Sequence, residues 1–149
     1  MYIVNVEGAI HHDGRWLLIE RSKHEEHAAG MLSLVGGQCE IEENSTDILE
    51  RTLKREIFEE VGIEVSNLQY VNSSTFMTDS GIHVMDIVFL CDHYSGTAYP
   101  KSPHEVEAVF WMTTEEILQR PDLPPYLKEN VKLADRLAKR NSSSRSGQS

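Results

Sequence analysis

One segment of the sequence combines a regular apolar stripe with clustered acids, and few folds accommodate both. Its apolar side chains recur every fourth residue and predict a helix with one buried face. These side chains are Leu49, Leu53, Ile57 and Val61. Glu56, Glu59 and Glu60 stand at i, i+3 and i+4, so the three carboxylates share one flank beside the stripe. Like charges there repel one another and resist desolvation, so the helix gains from them only if cations neutralise them.

The cation that suits these acids is a hard divalent ion. Mg²⁺ prefers oxygen ligands and retains waters, which fits one or two carboxylates per ion. The apolar run at residues 31–35 predicts a short strand, and Gly36 and Gly37 predict a tight turn at its end. This turn could place a backbone carbonyl near the same cation. The alternative is a solvated acidic face, in which Lys54 and Arg55 form ion pairs with the glutamates.

The composition limits the partners of such a site. The chain has 149 residues, with 24 Asp and Glu against 14 Lys and Arg, which gives a net charge of −10. Phosphate backbones usually bind basic surfaces, so we expect no nucleic-acid partner. An acidic protein still binds phosphates when a metal ion lies between the negative groups. No apolar run approaches the ~18 residues of a membrane span, so we expect no membrane partner.

The cysteines and the first residues predict the compartment. Cys39 and Cys91 provide no disulfide framework. The opening residues, MYIVNVEG, lack the basic and apolar regions of a secretory leader. Both features predict a cytoplasmic protein with two reduced, structural thiols.

The remaining elements are strands first, then strands interleaved with helices. The predicted strands are 2–10, 16–19, 31–35, 70–77, 82–91 and 108–112, and the predicted helices are 47–61, a short one from 113, and 124–140. Asp47 is predicted to cap the acidic helix at its start and Gly62 at its end. This order favours an α/β fold with a central mixed sheet, in one domain over residues 1–140. Residues 141–149 are Ser-rich and predict a disordered polar tail.

The acidic segment resembles the second half of the Nudix hydrolase box, written G-x5-E-x7-R-E-U-x-E-E-x-G-U with U aliphatic. All seven specified positions of that half match, namely Arg55, Glu56, Ile57, Glu59, Glu60, Gly62 and Ile63. Gly37 and Glu43 match the first half. Eleven residues separate Glu43 from Arg55 where the pattern has seven, an addition of about one helical turn. These residues either lengthen the loop or extend the start of the helix, and they leave the role of Glu43 open.

The resemblance implies a Nudix-type α/β/α sandwich and a metal-dependent hydrolase that cleaves the pyrophosphate linkage of nucleoside diphosphate-linked compounds. Water would attack one phosphorus. Glu56, Glu59 and Glu60 would bind Mg²⁺ or Mn²⁺ with the help of the Gly37 carbonyl, and Arg55 would orient the glutamates. Either Glu56 or Glu105, which precedes the last predicted strand, would accept the proton from water. For Glu105 the alternative is a plain surface charge.

The substrate expected from the resemblance is a small nucleotide. Nucleoside triphosphates, ADP-ribose, dinucleoside polyphosphates and nucleotide sugars all fit, and the small size of the domain favours the first two. Arg21, Gly37 and Phe76 are the predicted substrate contacts, although Arg21 could lie in a solvated loop and Phe76 could be an ordinary strand residue. A homodimer fits the resemblance. The alternative functions are a non-catalytic nucleotide-sensing domain and, on fold alone, an isoprenoid diphosphate isomerase.

Overall fold

The computed structural model describes residues 1–25, 28–40 and 42–146. The strands in these residues are β1 (Ile3–His12), β2 (Arg15–Arg21), β3 (Leu32–Ser33), β4 (Val35–Gln38), β5 (Glu64–Met77), β6 (His83–Ser95) and β7 (Val106–Met112). The helices are α1 (Ile48–Val61), α2 (Thr114–Gln119) and α3 (Pro125–Ser146). The loop predicted after β2 includes residues 26–27, which lie outside the described residues.

The strands form one mixed sheet in the order β3-β2-β1-β6-β5, with β4 added to β1 and β7 to β2. β1 and β6 are parallel, whereas β1 is antiparallel to β2 and β4. Helix α1 packs on one face, and α2 and α3 pack on the other. This arrangement confirms the predicted α/β/α sandwich around a mixed sheet.

Each face of the sheet has its own apolar core. The predicted stripe of α1 fills one of them, where Leu53, Ile57 and Val61 are fully buried against Val6 and other residues of the sheet. The second core lies under α3 and includes Trp16, Leu18, Leu34, Leu127 and Val131. Burial of each large apolar side chain contributes about 1.5–3 kcal/mol, so these two cores fix α1 and α3 against the sheet.

The sheet changes partners along β1, and this change creates room for a site. β1 pairs with β2 only at His11–His12, next to the hairpin turn. Over Asn5–Gly8, it pairs instead with β4, through Val35–Gln38. Gly36 and Gly37 therefore lie in a strand, and the prediction of a tight turn at this pair is wrong. Because β2 separates from β1 after the hairpin, Arg21 at its far end has no backbone ladder to β1.

The predicted turns and caps are partly confirmed. Asp13 and Gly14 have φ of 49° and 76°, as expected of a tight hairpin. Gly62 ends α1 in the left-handed region, with φ of 74°. Asp47 is the residue before α1, but its side chain makes no capping hydrogen bond, since it is itself left-handed with φ of 54°. The capping box forms at α2 instead, between Thr113 and Glu116.

Two elements extend further than the sequence predicts. β5 begins at Glu64 because its first, polar residues pair with the polar end of β6. This pairing includes register shifts, so a regular alternation of apolar and polar residues does not reveal it. Helix α3 continues to Ser146, so the predicted disorder is wrong for residues 141–146. The Asn141 amide donates to Gln69 Oε1 at 2.8 Å, which ties this last part of the helix to β5. Residues 147–149 lie outside the described residues. In the described part of the chain, no helix is long and apolar enough to cross a membrane.

Candidate active site

The three carboxylates of α1 share one flank, but they differ in exposure. Glu60 is only 5% exposed, Glu56 is partly buried and Glu59 is exposed. Among the described residues, Glu60 Oε2 is buried without a hydrogen-bond partner. Burial, followed by the charges of Glu105 and Glu56, raises the pKa of Glu60 to about 9. A carboxylate in this position is stable as an ion only when a cation approaches it.

Glu56 lies between Arg55 and Gly37. Arg55 Nη2 is 3.4 Å from Glu56 Oε1. A Cβ at Gly37 would lie 2.5 Å from the Glu56 carboxyl carbon, so only glycine leaves room for this side chain as it stands. Burial, then the Glu59 charge, raises the pKa of Glu56, and Arg55 opposes this shift. The structure thus brings together Gly37, Arg55 and Glu56 as neighbours.

The segment before β7 carries Glu105 towards these acids. The Lys101 N–H donates to the carbonyl oxygen of Glu60 at 3.0 Å, and the Ser22 N–H donates to the carbonyl oxygen of Glu105 at 3.0 Å. The segment is therefore fastened both to the end of α1 and to the residue that follows β2. Although Glu105 is exposed, its charge raises the pKa of both Glu56 and Glu60. The backbone hydrogen bonds to Glu60 and from Ser22 hold the segment that carries Glu105 beside the end of α1.

Arg21 lies between the acidic flank and a neighbouring cavity. Its Nη2 is 3.3 Å from Glu25 Oε2. Burial raises the pKa of Glu60 on one side and the pKa of Glu7 on the other, and the charge of Arg21 opposes both shifts. A group bound in the cavity and a phosphate beside Glu60 could therefore both contact the same guanidinium.

The cavity has a volume of about 590 Å³, within the ~300–1,000 Å³ range of small-molecule sites. Leu32, Leu34 and Leu127 provide apolar walls, and the predicted substrate residues Arg21 and Phe76 also line it. Phe76 is 43% exposed, at the end of β5. Of the predicted substrate residues, Arg21 and Phe76 thus share the cavity, whereas Gly37 lies against Glu56.

Sequence reasoning missed the polar floor of the cavity, which consists of Asn5, Glu7 and Asp86. Asn5 Nδ2 donates to Asp86 Oδ1 at 2.8 Å, and the carboxyls of Glu7 and Asp86 are hydrogen-bonded to each other. Burial, then the contact with Asp86, raises the pKa of Glu7 well above its usual range. One signal was available, since Asn5 and Glu7 stand two apart in a run that is otherwise without polar side chains from Ile3 to Ile10, and they therefore point to one face.

The acids of α1 have the chemistry for a divalent cation. They are oxygen donors, and the unpartnered Glu60 Oε2 is a position that a cation would satisfy. In the chain as described (1–25, 28–40, 42–146), no three His, Cys, Asp or Glu side chains already converge on one ion position. A cation would therefore have to draw these carboxylates together, and Gly37 gives the Glu56 side chain the space in which to lie.

Comparison with known proteins identifies the family. The NUDIX domain family matches residues 2–134. This match covers most of the chain, and the chain therefore belongs to the Nudix hydrolase family. Solved structures agree with this fold. A MutT Nudix hydrolase from Burkholderia pseudomallei superposes with a TM-score of 0.73 at 28% identity, over 89% of this chain and 98% of that one. A MutT protein from Methanosarcina mazei Go1 gives a TM-score of 0.76 at 26% identity, over 93% and 96%.

Curated relatives include two proteins named NAD-capped RNA hydrolase NudC. The one from Vibrio atlanticus (strain LGP32) is 32% identical over 117 residues, which are 78% of this chain and 38% of the relative. The one from Chromobacterium violaceum is 33% identical over 111 residues, 74% of this chain and 37% of the relative. The chain thus spans less than half the length of these relatives.

Proposed function

We propose that this protein is a metal-dependent pyrophosphohydrolase that cleaves nucleoside diphosphate-linked compounds by attack of water on phosphorus. The observation that carries the proposal is the buried Glu60 carboxylate, which has no hydrogen-bond partner for Oε2 among the described residues and lies beside Glu56. Such an arrangement destabilises the fold unless a cation compensates for it. Family membership supports the same chemistry.

Glu56, Glu59, Glu60 and the carbonyl of Gly37 are the groups proposed to hold Mg²⁺ or Mn²⁺. The ion would polarise phosphoryl oxygens and lower the pKa of bound water. Arg55 would keep the Glu56 carboxylate in place through its 3.4 Å contact. Arg21 would bind the phosphates, and Phe76 would form part of the wall around the base, since both line the same cavity.

Glu105 is the proposed acceptor of the proton from water, and Glu56 is the alternative. Glu105 is exposed, and the segment that carries it is attached to α1 and β2 through backbone hydrogen bonds. A general base has to reach the water while it remains ionised near neutral pH. Bound metal would occupy the oxygens of Glu56, so Glu105 fits this role better.

The substrate is proposed to be a small nucleotide. Nucleoside triphosphates and ADP-ribose are the first candidates, and the names of the relatives add NAD, whose two nucleotides are joined by a pyrophosphate. Those names also include RNA, whereas the acidic charge of this chain predicts no nucleic-acid partner. Cytoplasmic location and a homodimer also stay predictions.

The test is product analysis over a substrate panel with Mg²⁺, Mn²⁺ or EDTA. The panel contains canonical and oxidised nucleoside triphosphates, ADP-ribose, NAD, nucleotide sugars and a diadenosine polyphosphate. Wild type is compared with Glu60→Gln, and Glu129→Gln serves as the matched control because Glu129 is exposed on α3. We expect at least one substrate to be cleaved at its pyrophosphate, only with metal, by wild type and Glu129→Gln.

Two results would overturn the proposal. Full activity of Glu60→Gln on every wild-type substrate would show that the carboxylates of α1 are not the metal site. Tight nucleotide binding without turnover at millimolar Mg²⁺ would favour the nucleotide-sensing domain instead.

A further inference from the structure

The floor of the cavity is built from polar groups that largely satisfy one another. Asp86 is 4% exposed, and its Oδ1 accepts from Asn5 Nδ2 at 2.8 Å. Glu7, two residues from Asn5 on β1, is hydrogen-bonded to the Asp86 carboxyl. The parallel pairing of β1 and β6 sets Asn5 directly opposite Asp86, so backbone geometry holds this group in position.

Two carboxyls in hydrogen-bond contact share one proton, because both cannot be ionised at that distance. Burial and the neighbouring Asp86 raise the pKa of Glu7, so Glu7 keeps the proton and donates it to Asp86. The charged groups that face Glu7 are Asp86 from β6 and Arg21 from β2, and the Tyr126 hydroxyl lies nearby on α3.

The hydrogens within this floor point inward, towards Asp86. The Glu7 carboxyl proton and one Asn5 amide hydrogen are both donated to Asp86. The pair therefore offers only acceptor oxygens to a ligand, namely the carbonyl oxygen of the Glu7 side chain and the remaining lone pairs of Asp86. On the α3 side, Asn130 accepts from Asn72 Nδ2 at 2.9 Å through its Oδ1, so the group it offers to a ligand is its NH₂ donor. The floor thus favours a ligand that presents N–H donors to it, and the Asn130 NH₂ group on α3 provides a separate donor to the ligand.

We propose that the cavity takes a nucleobase whose edge carries adjacent N–H donors, and that Glu7 and Asp86 select it. Guanine fits best, because its N1–H and 2-amino groups stand side by side and its O6 acceptor follows them. Adenine and cytosine offer one exocyclic amino group. Uracil and thymine carry a single N–H between two carbonyls, and those carbonyls would face the acceptor oxygens of the floor. Apolar and aromatic walls, including Leu34 and Phe76, provide the surface on which a planar ring lies.

This inference rests on the proposed function for its biological context, but its test does not require turnover. Binding of nucleoside 5′-monophosphates is followed by NMR titration, with GMP, IMP, AMP, CMP and UMP, and with ribose 5-phosphate as the probe that has no base. GMP and IMP differ only in the 2-amino group, so their ratio of dissociation constants reports the second N–H. We expect GMP to bind at least about tenfold more tightly than IMP, UMP and ribose 5-phosphate.

The variants are Asp86→Asn, Glu7→Gln and the matched control Glu64→Gln, an exposed acid on β5. Asp86→Asn replaces an acceptor with a donor and is expected to reduce the GMP-to-IMP ratio to about one. Glu7→Gln keeps one acceptor and one donor, as the protonated carboxyl does, and is expected to retain the preference. Because the ratio is measured within one protein, a partial loss of folding does not alter it.

Equal binding of GMP, IMP, UMP and ribose 5-phosphate by wild type would overturn this inference, as would an unchanged ratio in Asp86→Asn. Repeating the titrations in Glu60→Gln separates the two proposals. Retained selectivity with lost hydrolysis supports both. In wild type, equal binding of the bases with intact metal-dependent hydrolysis contradicts this inference alone, and selectivity without any hydrolysis contradicts the proposed function alone.

Discussion

Gly37 leaves the space that the Glu56 side chain fills: a Cβ at Gly37 would lie 2.5 Å from Glu56 Cδ and 2.7 Å from Oε2. Its neighbour Gly36 faces the backbone of β1 instead, where a Cβ would lie 2.0 Å from the Val6 carbonyl oxygen. The two adjacent glycines therefore do different things. Gly36 allows β4 to pair with β1, and Gly37 allows a carboxylate of α1 to lie against β4.

Gly37→Ala is expected to lower kcat by about 10- to 100-fold, because a displacement near 1 Å in a catalytic group has effects of this size. Its free energy of unfolding should change by only about 1–2 kcal/mol, since the end of a Glu side chain can move. Gly36→Ala should instead destabilise the fold by about 3 kcal/mol or more, because backbone atoms cannot move aside in the same way. Kinetics and urea unfolding of both variants check this. Unchanged kcat in Gly37→Ala, or equal stability of the two variants, would contradict it.

Glu60→Gln is expected to change how the stability of the metal-free protein depends on pH. Burial, with Glu105 and Glu56, raises the pKa of Glu60 from 4.5 to about 9. Between these values the folded chain holds a proton that the unfolded chain has lost, so wild-type stability falls as pH rises through this window. Glu60 alone contributes a slope of at most about 1.4 kcal/mol per pH unit. Urea unfolding in EDTA at pH 5.5, 7.0 and 8.5 gives the free energy of unfolding of both proteins. The value for Glu60→Gln should increase relative to that of wild type as pH rises, and an equal pH dependence of the two values would refute this.

Mg²⁺ should release protons when it binds at neutral pH, because it favours the ionised form of Glu60. We expect this release in calorimetric titrations of wild type at pH 7.0, performed in two buffers of different ionisation enthalpy. Glu60→Gln should release fewer protons and show a smaller rise in Tm with Mg²⁺, whereas Glu129→Gln should behave like wild type. Identical proton release by wild type and Glu60→Gln would mean that this carboxyl does not bind the ion.

Glu105→Gln is expected to lower kcat by about 100-fold or more, the range seen when a general base is removed. Glu107→Gln is the matched control, since Glu107 is an exposed acid two residues further on, in β7, and it should keep kcat within about twofold. Steady-state kinetics at saturating metal and substrate provide the measurement. If Glu105→Gln keeps its kcat, the proton acceptor is Glu56.

Trp16→Phe is expected to lower the free energy of unfolding by about 2–4 kcal/mol. Trp16 is fully buried, and its Nε1–H donates to Thr114 Oγ1 at 2.8 Å. Thr114 Oγ1 in turn donates to Asp135 Oδ1 at 3.2 Å, so the substitution weakens the attachment of α2 and α3 to β2. Trp111→Phe should lower the free energy of unfolding by less, because Trp111 is only partly buried. Urea unfolding compares the two, and an equal or larger loss in Trp111→Phe would contradict the expectation.

The sequence predicted what depends on local spacing. The stripe of α1, its carboxylate flank and the Gly62 cap are all set within a few turns of one helix, so periodicity was sufficient to place them. The polar floor depends on pairing across the sheet. Asn5 and Asp86 are 81 positions apart, and only the parallel register of β1 and β6 brings them together. Arg21 is placed by the separation of β2 from β1, which no spacing in the chain encodes.

The prediction of a turn at Gly36 and Gly37 failed for a related reason. A glycine pair is typical of turns, but here the pair admits close neighbours on either side of a strand. The contacts that require glycine come from β1 and α1. Local sequence does not show which distant strands and helices will pack against such a pair.

The residues that extend the spacing between Glu43 and Arg55 have a practical consequence. Positions 44–47 precede α1, and the next seven positions up to Lys54 lie within it, which favours a longer loop over a longer helix. The packing of Ile57 and Val61 and the contact with Gly37 hold the helix regardless of what joins it to β4. This connection is therefore a suitable place to insert a short reporter sequence, such as a tetracysteine tag for a fluorescent dye. The dye would then sit near the acids of α1 without replacing any of them.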